Sequence, residues 1–364
     1  MKALILAAGY GKRLEPLTIA VPKPMAPIVN LPTMQHNIEL LKKHGLTEII
    51  ANIHYHPEQI ENYFGDGNDF GVSLSYSYEE ELLGTAGGVK KMAELAGGLN
   101  ETFLVLSSDA LTDINLTSLV EHHKEKKALV TIALSKVEDI RGFGVVLQDE
   151  AGRITGFQEK PEPADALSDL VNTGIYVFEP EILAMIPDGF HDFGHELFPK
   201  LVKTGANVHG FQLVGYWNDV GSLEKYIRSN YDALSGSVQI IVPGKKVSSA
   251  HWVGERENID PLARFEGSVI IGDRCRIGRD VYIKDSVIGD KCVISDGAVV
   301  TGSVLWSDTS VARRAQVVNS VVGSFCYIGA EAKVNDQSVI ANRTIIRGGM
   351  NIPAGTKLPP NSTA

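Results

Sequence analysis

Apolar residues follow two rhythms along this chain, and the change between them falls near residue 236. Before it, Leu4–Ala7, Glu48–Ile53, Phe103–Leu106, Val130–Leu134 and Gly174–Phe178 are short apolar runs of strand length. Between them Thr33–Lys43, Thr85–Leu95, Leu116–Lys126, His195–Lys203 and Ser222–Leu234 are longer, polar-capped and apolar at helical spacing. This alternation predicts an α/β domain over residues 1–235, with a mostly parallel sheet and ligands at the carboxyl ends of its strands.

Helical spacing stops after Ser235. Residues 236–251, with Pro243-Gly244, read as a linker, and from 252 to 364 the chain repeats itself. Ser-Val recurs at 268–269, 286–287, 303–304, 320–321 and 338–339, steps of 17 or 18 residues. Ile-Gly or Val-Gly recurs at Gly272, Gly278, Gly289, Gly323 and Gly329, and Ile271, Ile277 and Ile283 are six apart. A hexapeptide period with three units per coil predicts a triangular parallel β-solenoid, aliphatic residues inward and each glycine relieving a corner. A β-sandwich is the alternative, but its strands recur at roughly 8–12 residues.

Composition narrows the function. A chain of 364 residues, 44% apolar and 21% charged, is an ordinary globular protein large enough for two domains. A net charge of −10 opposes nucleic-acid binding, which needs a basic face. Leu4–Ala8 is too short for a signal peptide and no run approaches the roughly 18 apolar residues of a membrane span. The expectation is a cytoplasmic protein with no membrane partner. Cys275, Cys292 and Cys326 have no metal-binding spacing and read as small core residues.

The chemistry concentrates where the first strand ends. Leu6-Ala7-Ala8-Gly9-Tyr10-Gly11 is a small-residue loop after an apolar strand, and such loops present backbone N–H groups to phosphate oxygens. Arg13 and Lys23 add two positive charges, so the segment reads as a triphosphate cradle. It is not a P-loop, because no G-K-[ST] follows. Asp109 ends the strand Phe103–Ser108 and Asp219 follows the run Val208–Val214; as a pair they suit Mg²⁺. Lys160 can meet a phosphate as a point charge, and Glu159 can accept from vicinal hydroxyls. Gly144 and Asn172 offer backbone and carboxamide groups to a sugar. Gly84-Thr85-Ala86-Gly87 opens a helix and can either read a base edge or permit close packing. His191 and His195 stand at the spacing of a zinc helix, but Gly194 between them and the lack of a third ligand favour a polar turn.

These residues resemble the sugar-1-phosphate nucleotidyltransferases, whose opening motif is L-A-A/G-G-x-G-x-R-L-x-P-L-T followed by P-K-P. The likeness continues through Gly84–Gly87, Ser108-Asp109, Phe157–Pro161, Asn172–Gly174 and Trp217–Gly221, in the family's order. It implies a Rossmann-like catalytic domain. The second half resembles the left-handed parallel β-helix of the GDP-mannose and ADP-glucose pyrophosphorylase branches. By resemblance, Leu6, Ala8, Gly9, Gly11, Gly84 and Thr85 contact the nucleotide, Arg13 holds the β- and γ-phosphates and Lys23 lies near the reacting phosphates. Asp109 and Asp219 bind Mg²⁺, Lys160 orients the sugar phosphate, and Gly144, Glu159 and Asn172 contact the sugar. The G-T-A-G segment with a β-helix favours GTP and mannose-1-phosphate. Glucose-1-phosphate uridylyl or thymidylyl transfer and heptose-1-phosphate guanylyl transfer are the alternatives.

Two other classes are weighed. Acyl transfer by the β-helix needs a histidine base, and the last histidine is His251. A non-catalytic regulatory homologue is expected to lose phosphate or metal residues, and Arg13, Lys23, Asp109, Lys160 and Asp219 are all present. The β-helix is then most simply a homo-oligomerisation element.

Overall fold

The computed structural model describes residues 1–364. They divide into two compact units that do not follow chain order: Met1–Gly9 with Asn37–Asp219, and Tyr10–His36 with Val220–Ala364.

The first unit is built on a nine-stranded sheet. Its middle is parallel: Ala3–Leu6 lies between Glu48–Ile53 and Phe103–Ser107, and Glu48–Ile53 also pairs with Ser73–Tyr78. Leu170–Phe178 then runs antiparallel to Phe103–Ser107 and carries Val130–Lys136 and Gly144–Gln148 antiparallel beside it. Ile154–Glu159 and Val208–Gln212 complete the sheet. Half of it is therefore antiparallel, because Gly144–Gln148 and Ile154–Glu159 form a hairpin rather than a strand–helix–strand unit. The helices are α1 (Thr33–Lys43, in this unit from Asn37 on), α2 (Pro57–Phe64), α3 (Gly84–Leu95), α4 (Leu116–Lys126) and α5 (Phe198–Lys203). Asn115 caps α4 through the Ser118 N–H, one of the orphan donors of a helix start. The apolar faces of α3 (Val89, Met92) and α5 (Phe198, Leu201) meet the sheet at Val105, Ile132 and Phe178.

The expected helix from His195 begins differently. Phe193–Leu197 forms a π-turn and α5 starts only at Phe198, since Pro199 has no N–H to give a helix running through it. Asp192 caps the turn, accepting from Gly194 and His195.

In the second unit, three ladders of short parallel strands stack into a triangular solenoid. Ile271, Ile288, Leu305, Val322 and Ile340 line one inner face. Ile277, Ile294, Val311, Ile328 and Ile346 line the second, and Ile283, Val300, Val317, Val334 and Ile352 the third. All are buried, and Cys275, Cys292 and Cys326 join the same core. The Ser-Val repeat has a polar reason. Ser286, Ser303, Ser320 and Ser338 are buried, and each of the first three hydroxyls accepts the next serine's N–H at 3.1–3.2 Å.

The glycines of the repeat are not the corner residues expected from the spacing. Left-handed corners are taken by residues such as Arg274, Lys291, Asp308 and Arg343. The Ile-Gly glycines are required instead by the axial spacing of the coils. A Cβ on Gly272 would lie 2.7 Å from the Asp290 amide nitrogen, and one on Gly289 would lie 2.5 Å from that of Ser307. Asp290 in turn accepts the Asp273 N–H at 2.9 Å, one coil below.

α6 (Leu223–Ser235) packs against two solenoid strands, Arg264–Ile271 and Tyr282–Ile288. It also holds the small hairpin of Pro27-Ile28 and Leu31-Pro32, because Asn230 accepts the Val29 N–H at 2.9 Å.

Candidate active site

The strand Ala3–Leu6 stops because the next amide leaves the ladder. Ala7 donates to the buried side chain of Asn52 at 2.7 Å, and the chain passes into Ala8-Gly9. Leu6 still accepts from Ser108 at 3.0 Å, so the loop start is held beside the end of Phe103–Ser107. Asp109 follows at once. The short strand Ala110–Thr112 pairs antiparallel with Trp217–Asp219, and the Cα partner of Asp219 is Ala110. The two aspartates, 110 positions apart in sequence, are therefore next to one another in register. Thr112 reinforces the pairing by donating to the Tyr216 carbonyl at 2.7 Å.

A second cluster stands on the antiparallel strands. Glu159 is the register partner of Gly144, and Val171, beside Asn172, pairs with Val145. Lys160 follows in the left-handed region (φ 46), its N–H bonded to the Phe143 carbonyl at 3.2 Å and its ammonium paired with Glu159. The Lys160 side chain is 56% exposed and that of Glu159 only 14%, so the ammonium is accessible and the carboxylate is set behind it. Gly144 is required here: a Cβ would lie 2.8 Å from the Phe157 ring and 3.0 Å from the Glu159 carboxylate. Asn172 donates to Tyr176 at 2.9 Å and accepts from Gly174 at 3.0 Å. Burial pushes the Tyr176 phenol above its ordinary value, so Asn172 faces a neutral hydroxyl.

Three donors of the Gly84–Gly87 segment are engaged within the protein. The amides of Ala86 and Gly87 both go to the His191 carbonyl, at 2.9 and 3.1 Å. The Thr85 hydroxyl donates to Asp192 at 2.9 Å and accepts from Phe193 at 2.8 Å. Gly84 sits at φ 71, and a Cβ there would lie 2.5 Å from the His191 oxygen. Close packing thus engages the Ala86 and Gly87 amides and the Thr85 hydroxyl. His191 and His195 turn to different carboxylates, His191 to Glu196 at 3.2 Å and His195 toward Glu159 at 4.0 Å.

Arg13, Lys23 and Gly11 belong to the second unit. Gly11 has φ 68, and its carbonyl accepts from Leu14 N–H and from the Thr18 hydroxyl, both at 2.9 Å. A Cβ on Gly11 would lie 2.8 Å from that of Lys23, so the glycine lets two signature stretches pack together. Lys23 is buried and Arg13 exposed.

A family profile described as Nucleotidyl transferase matches residues 2–236. The chain belongs to the nucleotidyl transferase family. A second profile, EIF2B subunit epsilon LbH domain, matches residues 251–352 of this transferase, and the solenoid is a left-handed β-helix. A UTP–glucose-1-phosphate uridylyltransferase of Synechocystis is 41% identical over 298 residues, 78% of this chain and 76% of that protein. A mannose-1-phosphate guanylyltransferase of Mycobacterium tuberculosis is 34% identical over 288 residues, 74% of this chain and 79% of that protein. Among solved structures, a putative glucose-1-phosphate thymidylyltransferase from Bacillus anthracis shares the fold. Its TM-score is 0.58 at 24% identity, covering 67% of this chain and 98% of that one.

Two carboxylates on neighbouring register positions are the donor type that a magnesium ion takes. Mg²⁺ is commonly held by one or two carboxylates, with water and substrate phosphate oxygens completing the octahedron. Asp109 and Asp219 are such a donor pair.

The sequence assigns no role to Asp192, Asn52 or Glu79, and names Trp217 only within the Trp217–Gly221 likeness. Trp217 donates its indole N–H to the Thr173 carbonyl at 3.1 Å and lies 5.4 Å from the Phe143 ring, joining the Asp219 strand to the Gly144 cluster. The signal for Asn52 is a carboxamide inside an otherwise apolar run. Glu79 carries none, standing in an acidic run, and Asp192 lies in a short His191–His195 stretch with no periodic pattern.

Proposed function

We propose that this chain is a Mg²⁺-dependent sugar-1-phosphate nucleotidyltransferase that uses GTP and mannose-1-phosphate. A phosphate oxygen of the sugar-1-phosphate attacks the α-phosphorus in line. The bond from that phosphorus to the bridging oxygen breaks, and pyrophosphate leaves with the electron pair. Such transfer calls for positioning and charge neutralisation rather than a covalent nucleophile. The register pairing of Asp219 with Ala110, next to Asp109, supports metal-dependent transfer, while the choice of GTP and mannose-1-phosphate rests on the G-T-A-G likeness and the guanylyltransferase relative. Mg²⁺ held by those carboxylates would neutralise charge on the reacting phosphates. The backbone at Leu6, Ala8, Gly9 and Gly11, with Gly84 and Thr85, holds the nucleotide. Arg13 and Lys23 hold its phosphates, Lys160 orients the sugar phosphate, and Gly144, Glu159 and Asn172 hold the sugar.

The catalytic region is 1–235, 236–251 links it onward, and 252–364 assembles copies of the chain into a homo-oligomer. No helix is long and apolar enough to cross a membrane. UTP and glucose-1-phosphate form the second reading, favoured by the 41% identical uridylyltransferase.

Pyrophosphate release is to be measured with Mg²⁺ for GTP, UTP, dTTP, ATP and CTP, each with mannose-1-phosphate and glucose-1-phosphate. Fastest release with GTP and mannose-1-phosphate is expected. A UTP and glucose-1-phosphate preference would install the second reading, and no release with any pair would overturn the activity.

A further inference from the structure

Two polar side chains in the first unit are buried without touching any residue assigned above to sugar, phosphate or metal. Asn52 is 3% exposed and Glu79 4%. Asn52 accepts the Ala7 N–H at 2.7 Å and donates to a Glu79 carboxylate oxygen at 2.6 Å. The other Glu79 oxygen accepts the Leu83 N–H at 2.9 Å. The chain of bonds thus begins at the residue before Ala8-Gly9 and ends at the residue before Gly84-Thr85. Gly88 is shaped around it, since a Cβ there would lie 2.7 Å from both the Asn52 nitrogen and the Glu79 oxygen. The Glu79 charge meets a carboxamide and a backbone amide. A buried carboxylate of this kind is expensive to desolvate, and an apolar pair of the same shape would fill the space without that cost.

We infer that Asn52 and Glu79 are positioning residues for the nucleotide, a hydrogen-bonded strut that fixes the phosphate loop relative to the start of α3. The inference rests on the transferase reading for its substrate. Neither side chain touches the reacting atoms. Their effect is to hold the two nucleotide-contacting loops at one spacing, so its loss falls on triphosphate binding rather than on the sugar phosphate or the chemical step.

The polarity of the strut makes it testable by exchange. In Asn52→Asp two carboxylates face each other where one donor and one acceptor stood. In Glu79→Gln either the Asn52 amide or the Leu83 N–H faces an NH₂ group. In the double variant the carboxylate now at position 52 accepts from Ala7 and from the new carboxamide NH₂ at position 79. The oxygen of that carboxamide accepts from Leu83. Every bond is then restored with the same net charge.

The experiment measures both KM values, kcat and the Kd of Mg²⁺-GTP and Mg²⁺-UTP, below the melting temperature of every variant. Each single variant is expected to raise the triphosphate KM and Kd by about tenfold or more, the loss of one buried hydrogen bond. The sugar-phosphate KM and kcat should stay within about twofold, and the double variant should return to near wild type. Parallel changes in both KM values and kcat, or a double variant no better than the singles, would overturn the role. A wild-type chain that binds triphosphate yet makes no nucleotide sugar would overturn the transferase reading instead, and the Kd pattern would still decide the strut.

Discussion

Trp306 donates its indole N–H to the Tyr226 hydroxyl at 2.8 Å, and that hydroxyl donates onward to the Pro27 carbonyl at 2.5 Å. One buried phenol thereby joins the β-helix, α6 and the hairpin that follows the Lys23 segment. Burial holds the phenol above its ordinary pKa, so it stays a donor at any working pH. Tyr226→Phe keeps the ring but leaves an indole N–H and a carbonyl without their partner. A loss of about 1–3 kcal/mol is expected, read as a lower denaturation midpoint. Trp306→Phe should cost a comparable amount, and the double variant less than the sum. Strict additivity would sink the claim that the two act through one hydroxyl.

The pairing of Ala110–Thr112 with Trp217–Asp219 puts Asp219 opposite Ala110, the residue after Asp109. Asp109→Asn and Asp219→Asn should each lower pyrophosphate release by about 100-fold or more, with the melting temperature little changed. On the proposed sharing of one ion, the double variant should lose little more than either single. Multiplying losses would mean that the two act separately.

The sequence spoke clearly where a local pattern sufficed. Thr33–Lys43 and Leu116–Lys126 are the helices their spacing predicts, residue for residue. The inward ladder of Ile271, Ile277 and Ile283 is as the six-residue period implies. Legibility failed where a residue's reason lies far away in the chain. Nothing near Gly272 announces that Asp290 presses on it from the next coil, so the spacing alone points to a corner where the structure has a close approach. Nothing near Glu79 announces Asn52, and the Glu79-Glu80-Glu81 run looks like a solvated face. The grouping of Tyr10–His36 with the β-helix was equally hidden, since it is made by Val29–Asn230 and Asn30–Ile288 hydrogen bonds.

The coil spacing gives a contrast between glycines. Gly272→Ala and Gly289→Ala force a Cβ against backbone atoms that cannot move without disturbing the next coil. Each should destabilise the β-helix by about 1–3 kcal/mol. Gly349 has φ 73 but no atom within 4 Å of where a Cβ would lie, so Gly349→Asn should cost well under about 1 kcal/mol. Urea midpoints of the three variants check the ordering, and equal losses would refute the axial-crowding account.

Acid should loosen the first unit from the side of α4. The His123 imidazole bonds Thr131 at 2.8 Å and Glu179 at 3.0 Å, and desolvation lowers its pKa against the pull of Glu179. Desolvation also lowers His122 and His209, whose rings lie 6.3 Å apart. Lys126 adds to both shifts and Arg153 to that of His209, opposed by Glu125 and Asp149. His122 Nε2 and His209 Nδ1 are buried with no hydrogen-bond partner. All three therefore fold neutral, while in the unfolded chain they take up protons near the ordinary 6.5. The unfolded state binds more protons below that value, so stability present above it is lost as pH falls through the lowered folded pKa values. Urea midpoints should fall between about pH 7 and pH 5, and His122→Phe should flatten the slope by up to about one proton. An unchanged slope in His122→Phe would show that His122 is not part of the acid response.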